Sequence, residues 1–579
     1  MIKQEQTLLV CAGAFWLLFI VRTLFWVDGH LYATLFDDAM ISMRYARNFA
    51  EGHGLVWNPG AAPVQGYTNP LWTFVMAAVH AAGVPPRLAA LPMMGISAMV
   101  LVGASLSARD LAREVTGRED AAVAALALTA FAYPLVFWTL RGMEVGLLAW
   151  LVTLAAHRVI LYSRGGPAAD LRIAGIVMTL ALWTRADALV PALVLGAYVA
   201  IMRPRAWRLL AGAAVAVGLV GVAGPMIFSK WYYGALLPNT YYLKLGGVTL
   251  VQRVARGIPS LAILAIRSLL GACIPVAALV LSRPRGRAAN ELLLLGALLA
   301  AQCGYSVFVG GDAWEWMGYA NRYVAIAIPI LSVLTAAGIA AMLDRGWVVR
   351  TMPVALPLVV AAHAGLVLFL LRSNRGIDTP PVEFFRAQPA VATAAIVLAG
   401  FALLVAAIAA SMRRSMAGLA LAVWLVTCGV PAARWAMSNG FLVPQDARAA
   451  RFGLLLRDTL ALEATYAISW AGSTPYFAER TAVDLLGKSD PVIAHMPPAI
   501  PEFVPGHNKW NLQYSIGRLR PDLACNLPRR EWERAYLSEQ GYRPIGGTCF
   551  VRGGSRLDEP RLVAGIAVLD SGSSEGTVR

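Results

Sequence analysis

Over its first three quarters the chain alternates long apolar runs with short Arg-rich stretches. Runs of about 20 apolar residues predict membrane-spanning helices. They fall at 7–27, 88–108, 121–140, 147–163, 173–186, 188–202, 209–230, 260–282, 289–309, 323–343, 352–371, 389–410 and 416–435. That is thirteen, with eleven or twelve as alternatives because the two runs within 173–202 are short. The run LWTFVMAAVHAAG (71–83) is too short to cross and ends in VPPR, so it predicts a juxtamembrane helix. From about residue 436 the pattern changes. LEATYAISWAGSTPYFAERTAVDLLGK reads as a strand, a Gly-Ser-Thr-Pro turn and a helix, and LRPDLAC as a second strand. The expected architecture is a polytopic α-helical membrane protein with a small C-terminal α/β domain. Residues 1–435 form the membrane part and 436–579 the appended domain, whose tail SGSSEGTVR reads as disordered.

Charge fixes an expected orientation. The net charge of +16 could suit nucleic acid, but the basic residues cluster at the ends of apolar runs, in RDLAREVTGRED, RPRAWR, SRPRGR and SMRRSMAG. Topology explains that better than a polyanion partner. With those loops in the cytoplasm, parity puts loop 28–87 and the C-terminal domain outside the cytoplasmic membrane. The first run starts beside Lys3, is long for a signal peptide and has no small-residue cleavage site after it, so it reads as a retained span. Cys11, Cys273, Cys303 and Cys428 lie in apolar runs and read as core packing. Cys525 and Cys549 both lie in the outer domain, a plausible disulfide in an oxidising compartment.

The unusual polar residues then gather at one membrane face. They are Asp37 and Asp38; Arg141 and Glu144 in WTLRGMEVG; Arg185 and Asp187 in LWTRADAL; Lys230, Asn239 and Lys244 in SKWYYGALLPNTYYLKLGG; and Asp312, Glu315 and Arg322 in VGGDAWEWMGYANRY. Charges at membrane depth are costly unless paired or facing water. Bland readings stand beside the functional one. Arg141/Glu144 and Arg185/Asp187 read equally as paired charges at helix ends, Asp312 as a turn or cap residue, Lys244 as a snorkelling lysine, and His53 as an idle loop histidine. Adjacent Asp37 and Asp38 are harder to dismiss, since like charges repel and a cap needs only one. A carboxylate there can act as general base toward an acceptor hydroxyl, and a second can orient it or help hold a divalent cation. Arg and Lys nearby can neutralise a phosphate leaving group. Tyr67, Trp72 and Trp231 suit sugar rings and interfacial anchoring alike. An outer site cannot draw on cytoplasmic nucleotide sugars, and a lipid-phosphate sugar would solve that supply.

DDAMISMRYARNFAEGHGLVWNPG followed by QGYTNPLW resembles the first outer loop of C-superfamily (GT-C) membrane glycosyltransferases, among them the actinobacterial terminal β-arabinofuranosyltransferases. GALLPNTYYLK, VGGD, STPYFAERTAVDLLGKSDPVIAH and PGHNKW resemble later signatures of that group. The resemblance implies a GT-C fold and transfer of a sugar, arabinofuranose first, from decaprenyl- or undecaprenyl-phosphate to a cell-envelope glycan or glycoprotein at the outer face. It implies a catalytic aspartate, Asp37 or Asp38, with Asp37 favoured as base. His53, Lys244 and Arg322 are the expected donor-phosphate contacts. Arg44, Tyr67, Asn69, Glu144, Arg185, Asn239, Asp312 and His507 are expected to touch sugar or acceptor or to support the loops. No cofactor is identified, and a divalent cation on Asp37 and Asp38 is left open. Gln65 stands where relatives carry Glu, WTRADA where LTRPDG is common, and AWEWMGYAN intervenes before Arg322, so sugar and acceptor identity are open too. A lipid-linked-sugar flippase would show inverted repeats and mid-span charges. A non-catalytic glycan-binding protein would show a degenerate first loop. The chain has none of these features.

Overall fold

The computed structural model describes residues 2–265, 270–315, 320–346, 416–429, 431–432, 435, 443–527 and 531–571. The first apolar run folds as α1 (Ile2–Val21). The sequence reading carries span 7–27 onward, but the chain turns instead into a hairpin. Strand β1 (Leu24–Val27) pairs antiparallel with β2 (His30–Ala33). Asp28 and Gly29 between them have φ of 48° and 74°, the left-handed pair of a two-residue hairpin turn. Then come α2 (Asp37–Ala50) and α3 (Pro70–Ala81). At 12 residues α3 is too short to span, as expected, and it buries Trp72, Met76 and Val79.

The membrane body follows with α4 (Ala90–Thr116), α5 (Glu119–Ala130), α6 (Tyr133–Leu140), α7 (Val145–Ser163), α8 (Ala168–Thr184) and α9 (Leu189–Met202). α4 packs on α5 and α7, and α7 on α8. Buried alanines such as Ala104, Ala108, Ala149 and Ala156 let these helices approach closely. Among the described residues five helices are long and apolar enough to cross a bilayer: Lys3–Val21, Ala90–Thr116, Val145–Ser163, Pro204–Tyr233 and Gly286–Phe308. α5 and α6, bent by 49° at their break, make a sixth if taken as one span. Thirteen full-length spans are therefore not found there. Ala186–Met202, Gly271–Leu281 and Ile328–Asp344 are shorter apolar helices. The runs 352–371 and 389–410, and parts of 416–435, lie outside the described residues, as does most of the tail. Pro204–Tyr233 exposes Leu219, Ile227 and Trp231. A soluble helix would bury such an apolar stripe against a core, so lipid is its solvent and the chain is a multi-pass membrane protein.

The C-terminal α/β region holds a five-stranded sheet in the order β4–β3–β5–β7–β6. β3 (Thr465–Ile468) runs parallel to β4 (Thr481–Asp484) and β5 (Leu523–Ala524); β7 (Cys549–Arg552) runs antiparallel to β5 and to β6 (Tyr542–Gly546). The expected strand–turn–helix is corrected here. The helix, Ser473–Ala478, begins inside the turn, and TAVD pairs with β3 as a strand. Cys525 and Cys549 form a disulfide. Of the four cysteines expected in the core, Cys428 is buried, but Cys11 and Cys273 are exposed.

The two parts are joined by buried polar contacts. Arg141 pairs with Asp446, both almost fully buried. Arg44 donates to the carbonyls of Trp57 (2.5 Å), Pro475 and Arg480 (2.9 Å) and to Asn58 Oδ1 (2.8 Å). Its guanidinium thus clamps the first loop to the C-terminal region.

Candidate active site

Helix α2 starts at Asp37 because Phe36 is extended (φ −63°, ψ 144°) and its N–H is tied to the Arg141 carbonyl at 2.9 Å. Two acids in the first turn suit the positive end of the helix. Consecutive helical residues point about 100° apart, so Asp37 and Asp38 enter different surroundings.

Asp38 faces a cavity of about 210 Å³. Its Oδ2 accepts from Arg322 Nη1 at 2.9 Å and its Oδ1 from Lys488 Nζ at 2.7 Å. Burial works against its charge, but Lys488 and Arg322 outweigh it and hold the carboxyl below the ordinary carboxylate range. Arg322 also grips Asp312 through Nε at 3.0 Å and Nη2 at 3.0 Å, and lies over the Trp138 ring. Glu144, buried, accepts from Arg185 Nη1 at 2.9 Å and from Asn69 Nδ2 at 2.8 Å. Arg185 is held twice more by Asp187, at 2.9 and 3.0 Å. Lys244 also lines the cavity and donates to the Tyr323 hydroxyl at 3.3 Å. The cavity thus has four cations, Arg185, Lys244, Arg322 and Lys488, against three carboxylates, Asp38, Glu144 and Asp187.

Lys488 is presented by a braced loop of the C-terminal region. Asp484 accepts from the N–H groups of Leu486, Gly487 and Ser489 at 3.0, 3.1 and 2.6 Å. Gly487 sits at φ +76°, a conformation an L side chain rarely adopts, where an added Cβ would also lie 2.6 Å from Ile493. From the other side Asn239 Nδ2 donates to the carbonyls of Gly487 (2.8 Å) and Asp490 (2.9 Å). Burial opposes the charge of Lys488, yet Asp38 and Asp37 hold its pKa above the ordinary lysine value. His507, from the same region, also lines the cavity. Its Nδ1–H donates to the Pro505 carbonyl at 3.0 Å. Burial, seconded by Lys488, lowers its pKa to about 4, so it is neutral at pH 7.

Asp37 is the other kind of carboxylate. It is 2% exposed; Oδ1 accepts the Ser473 N–H at 2.8 Å, and Oδ2 has no partner among the described residues. Burial raises its pKa to about 6, against the opposing pull of Lys488 and the Ser473 N–H. Gly472 makes this seat possible, since a Cβ there would fall 1.8 Å from the Asp37 carbonyl oxygen. The pair does not fit a divalent cation. Both Asp38 oxygens are engaged by cations, and among the described residues no three His, Cys, Asp or Glu side chains come together as a metal site.

ArnT from Cupriavidus metallidurans bound to undecaprenyl phosphate aligns with 95% of this chain and 98% of its own, with a TM-score of 0.62 and 15% identity. Apo ArnT from the same organism aligns over 94% and 96%, with a TM-score of 0.61 and 16% identity. The chain has the GT-C fold. Residues 442–560 match a family described only as a domain of unknown function, DUF8728. No curated protein matches the sequence.

Within this GT-C architecture Asp38, Tyr67, Asn69, Glu144, Arg185, Lys244, Arg322 and His507 line one cavity. Asp312 stands behind Arg322, and Asn239 behind Lys488. One expectation is corrected. His53 is exposed and is not part of the cavity wall, so it cannot hold a phosphate there. Arg44 spends its guanidinium on carbonyls and Asn58, so of its two expected roles it serves the support of the first loop. The bland pairing of Arg141 with Glu144 also fails: Arg141 goes to Asp446 and Glu144 to Arg185. Lys509, in PGHNKW, is buried and donates to the Tyr242 and Ala494 carbonyls. Sequence reasoning missed Lys488. The only signal was DLLGKSD, an Asp and a Gly spaced to fold a tight loop around one lysine.

Proposed function

We propose that this chain is a glycosyltransferase that moves a sugar from a polyprenyl phosphate to a hydroxyl of a cell-envelope glycan or glycoprotein. One observation carries the reading: a cation-lined cavity lies beside a buried carboxylate that keeps an uncommitted oxygen. The donor phosphate would lie against Lys244, Arg322 and Lys488, with Asp38 giving up part of its hold on the last two. Arg185, fixed by Glu144 and Asp187, would stand as a pre-oriented donor for phosphate or sugar oxygens. Asp37 would take the proton of the acceptor hydroxyl. The new bond would form from that oxygen to the anomeric carbon as the carbon–phosphate-oxygen bond breaks, and the phosphate would leave with the electron pair. Asp38 is a poor base because two cations hold its proton affinity down.

The likeness to ArnT bound to undecaprenyl phosphate supports a lipid phosphate as donor carrier. Arabinofuranose is the first sugar to test, on the first-loop resemblance. The positive-inside pattern supports an extracytoplasmic site and C-terminal region. Purified protein in lipid nanodiscs would be given decaprenyl- and undecaprenyl-phosphate carrying different sugars, and release of the polyprenyl phosphate followed. Turnover of the arabinofuranosyl donor is expected, with loss in Asp37→Asn and Asp38→Asn. Preference for another sugar would overturn the arabinofuranose assignment, and full activity in both variants would sink the site.

A further inference from the structure

The lipid-facing helix Pro204–Tyr233 has one end tied to the Asp38 cavity, since Ser229 Oγ donates to Gln65 Oε1 at 2.5 Å and the next residue, Gly66, lines that cavity. Arg208 and Lys230 are 22 positions apart, which is about 33 Å at roughly 1.5 Å per helical residue and matches the ~30 Å of a bilayer's hydrocarbon core. Arg205 and Arg208 therefore stand at the opposite membrane face, and Trp207 between them is 62% exposed. Arg203 lies over the ring of Tyr162, near the end of α7, at 5.1 Å. Two residues past Tyr162, Arg164 pairs with Glu291 of helix Gly286–Phe308 at 2.7 Å and with Glu114 of α4. Glu291 is one turn beyond Arg287, so the exposed Arg283, Arg285 and Arg287 stand beside the same end of α7. Elsewhere on this face arginines are paired: Arg113 meets Glu119 at 2.6 Å and Arg118 meets Asp120 at 2.8 Å. Arg203, Arg205, Arg208, Arg283, Arg285 and Arg287 form no ion pair among the described residues. The positive charge of the face is thus balanced on the α4–α5 side and unbalanced on the other.

We propose that the arginines of 203–208 and 283–287 bind anionic phospholipid headgroups in the leaflet they face. A guanidinium fork matches phosphate oxygens, and these forks have no carboxylate to give up first. Their place favours lipid over a soluble polyanion. They stand where an apolar stripe that exposes Leu219 and Ile227 reaches the membrane surface, and the exposed Trp207 indole suits that boundary. A soluble polyanion would meet the charge and gain nothing from the apolar surface beside it. A zwitterionic headgroup brings its own cation next to its phosphate, so it answers an unbalanced patch poorly. The patch also sits at a structural junction. It gathers the ends of α7, α9 and helix Gly286–Phe308, and the other ends of these helices frame the Asp38 cavity, with Glu144 just before α7 and Tyr305 near the end of Gly286–Phe308. Anionic lipid bound there holds together the far ends of the helices that shape the cavity.

The test uses the full chain and needs no turnover. The protein is placed in nanodiscs of equal phosphatidylglycerol and phosphatidylcholine, released into mild detergent, and the lipids it keeps are counted by native mass spectrometry. The wild-type chain keeps phosphatidylglycerol over phosphatidylcholine about tenfold or more, since one arginine near the surface is worth about fivefold in affinity for anionic lipid. Arg205→Gln with Arg208→Gln lowers that preference, Arg285→Gln with Arg287→Gln lowers it too, and the four together remove it. Arg113→Gln with Arg118→Gln, from the balanced side, leaves it in place. On the unmutated chain, reconstitution in about 0.5 M salt lowers the preference, because screening weakens exposed charges; this arm does not depend on any variant folding. Equal retention of the two lipids by the wild-type chain, a preference indifferent to salt, or an undiminished preference in both arginine pairs would each overturn the proposal. So would an equal loss in the Arg113 and Arg118 variant. Displacement of phosphatidylglycerol by soluble inorganic polyphosphate would identify a soluble polyanion as the partner and overturn it as well.

Discussion

If Asp37 is the base, transfer must follow its ionisation. Its pKa is raised from the ordinary 3.8 to about 6, chiefly by burial. A base works only when deprotonated, so activity falls as pH drops through about 6. Between pH 7 and pH 5 the ionised fraction of such a group falls roughly tenfold, whereas a group at 3.8 would lose only about one part in twenty. The assay is transfer rate against pH under saturating donor. Neighbouring charges supply the control of assignment. Lys488 pulls the Asp37 pKa down and Asp38 pushes it up. Asp446, itself raised to about 7 by burial against the pull of Arg141, repels Asp37 when both are ionised. Lys488→Met should therefore move the midpoint up and Asp446→Asn should move it down. Asp484, raised by burial to about 6, titrates nearby, so Asp484→Asn is the further control and should leave a pH dependence in place. Asp37→Asn should cost about 10² to 10⁴ in rate. A rate flat to pH 5, or a pH dependence abolished by Asp446→Asn or Asp484→Asn with Asp37 intact, would refute the reasoning.

Arg141→Met leaves Asp446 buried without its cation and should destabilise the protein by about 3 kcal/mol, read as a lower Tm in detergent. Arg141 favours the ionised form of Asp446, so the loss is expected above about pH 7 and shrinks below it, where Asp446 takes up a proton. Gly472→Ala would press a Cβ onto the Asp37 carbonyl oxygen; it should abolish transfer while membrane insertion and polyprenyl phosphate binding persist. Reduction of Cys525–Cys549, which closes a loop of sequence separation 24, should cost about 3 kcal/mol of C-terminal stability, seen as a Tm shift with and without reductant.

Much of the architecture was legible because lipid demands long apolar runs, and those are visible without knowing any contact. The short α3 was legible for the same reason turned round: 71–83 is too brief to cross. The β1–β2 hairpin was legible in principle, since Asp28-Gly29 between Leu-Phe-Trp-Val and His-Leu-Tyr-Ala is a strong turn signal, but the apolar strand is hard to tell from the end of a span. Helix Ser473–Ala478 and β4 were misassigned because tertiary pairing with β3 decides that segment, not its own propensity. In the site, residues whose role is a charge at membrane depth stood out against apolar surroundings. His53 stood out equally and sits outside, because conspicuousness in sequence carries no direction in space. Lys488 lies 450 positions from Asp38 in a region of ordinary polarity, where one more lysine attracts no notice.

That distance bears on why two aspartates stand side by side. Were either one enough, the second would add only repulsion, and Asp38 does push the pKa of Asp37 upward. The helix geometry resolves this by sending the two carboxyls to different partners. Asp38 meets Arg322 from the membrane body and Lys488 from the C-terminal region, so it ties the parts together while holding both cations at the cavity. Asp37 meets the Ser473 N–H, its Oδ2 has no partner among the described residues, and burial keeps its proton affinity high enough to matter near neutral pH. Exchange of roles would fail chemically: a carboxylate shared by two cations makes a weak base, and an unpaired one could not hold Lys488 in place. Asp37→Asn and Asp38→Asn should therefore fail differently. The first should keep polyprenyl phosphate binding and lose the pH-dependent step. The second should release Arg322 and Lys488 from their shared anchor, changing donor affinity and loosening the C-terminal region. Identical binding and stability in the two variants would mean that the pair acts as one group, and the division argued from their surroundings would be wrong.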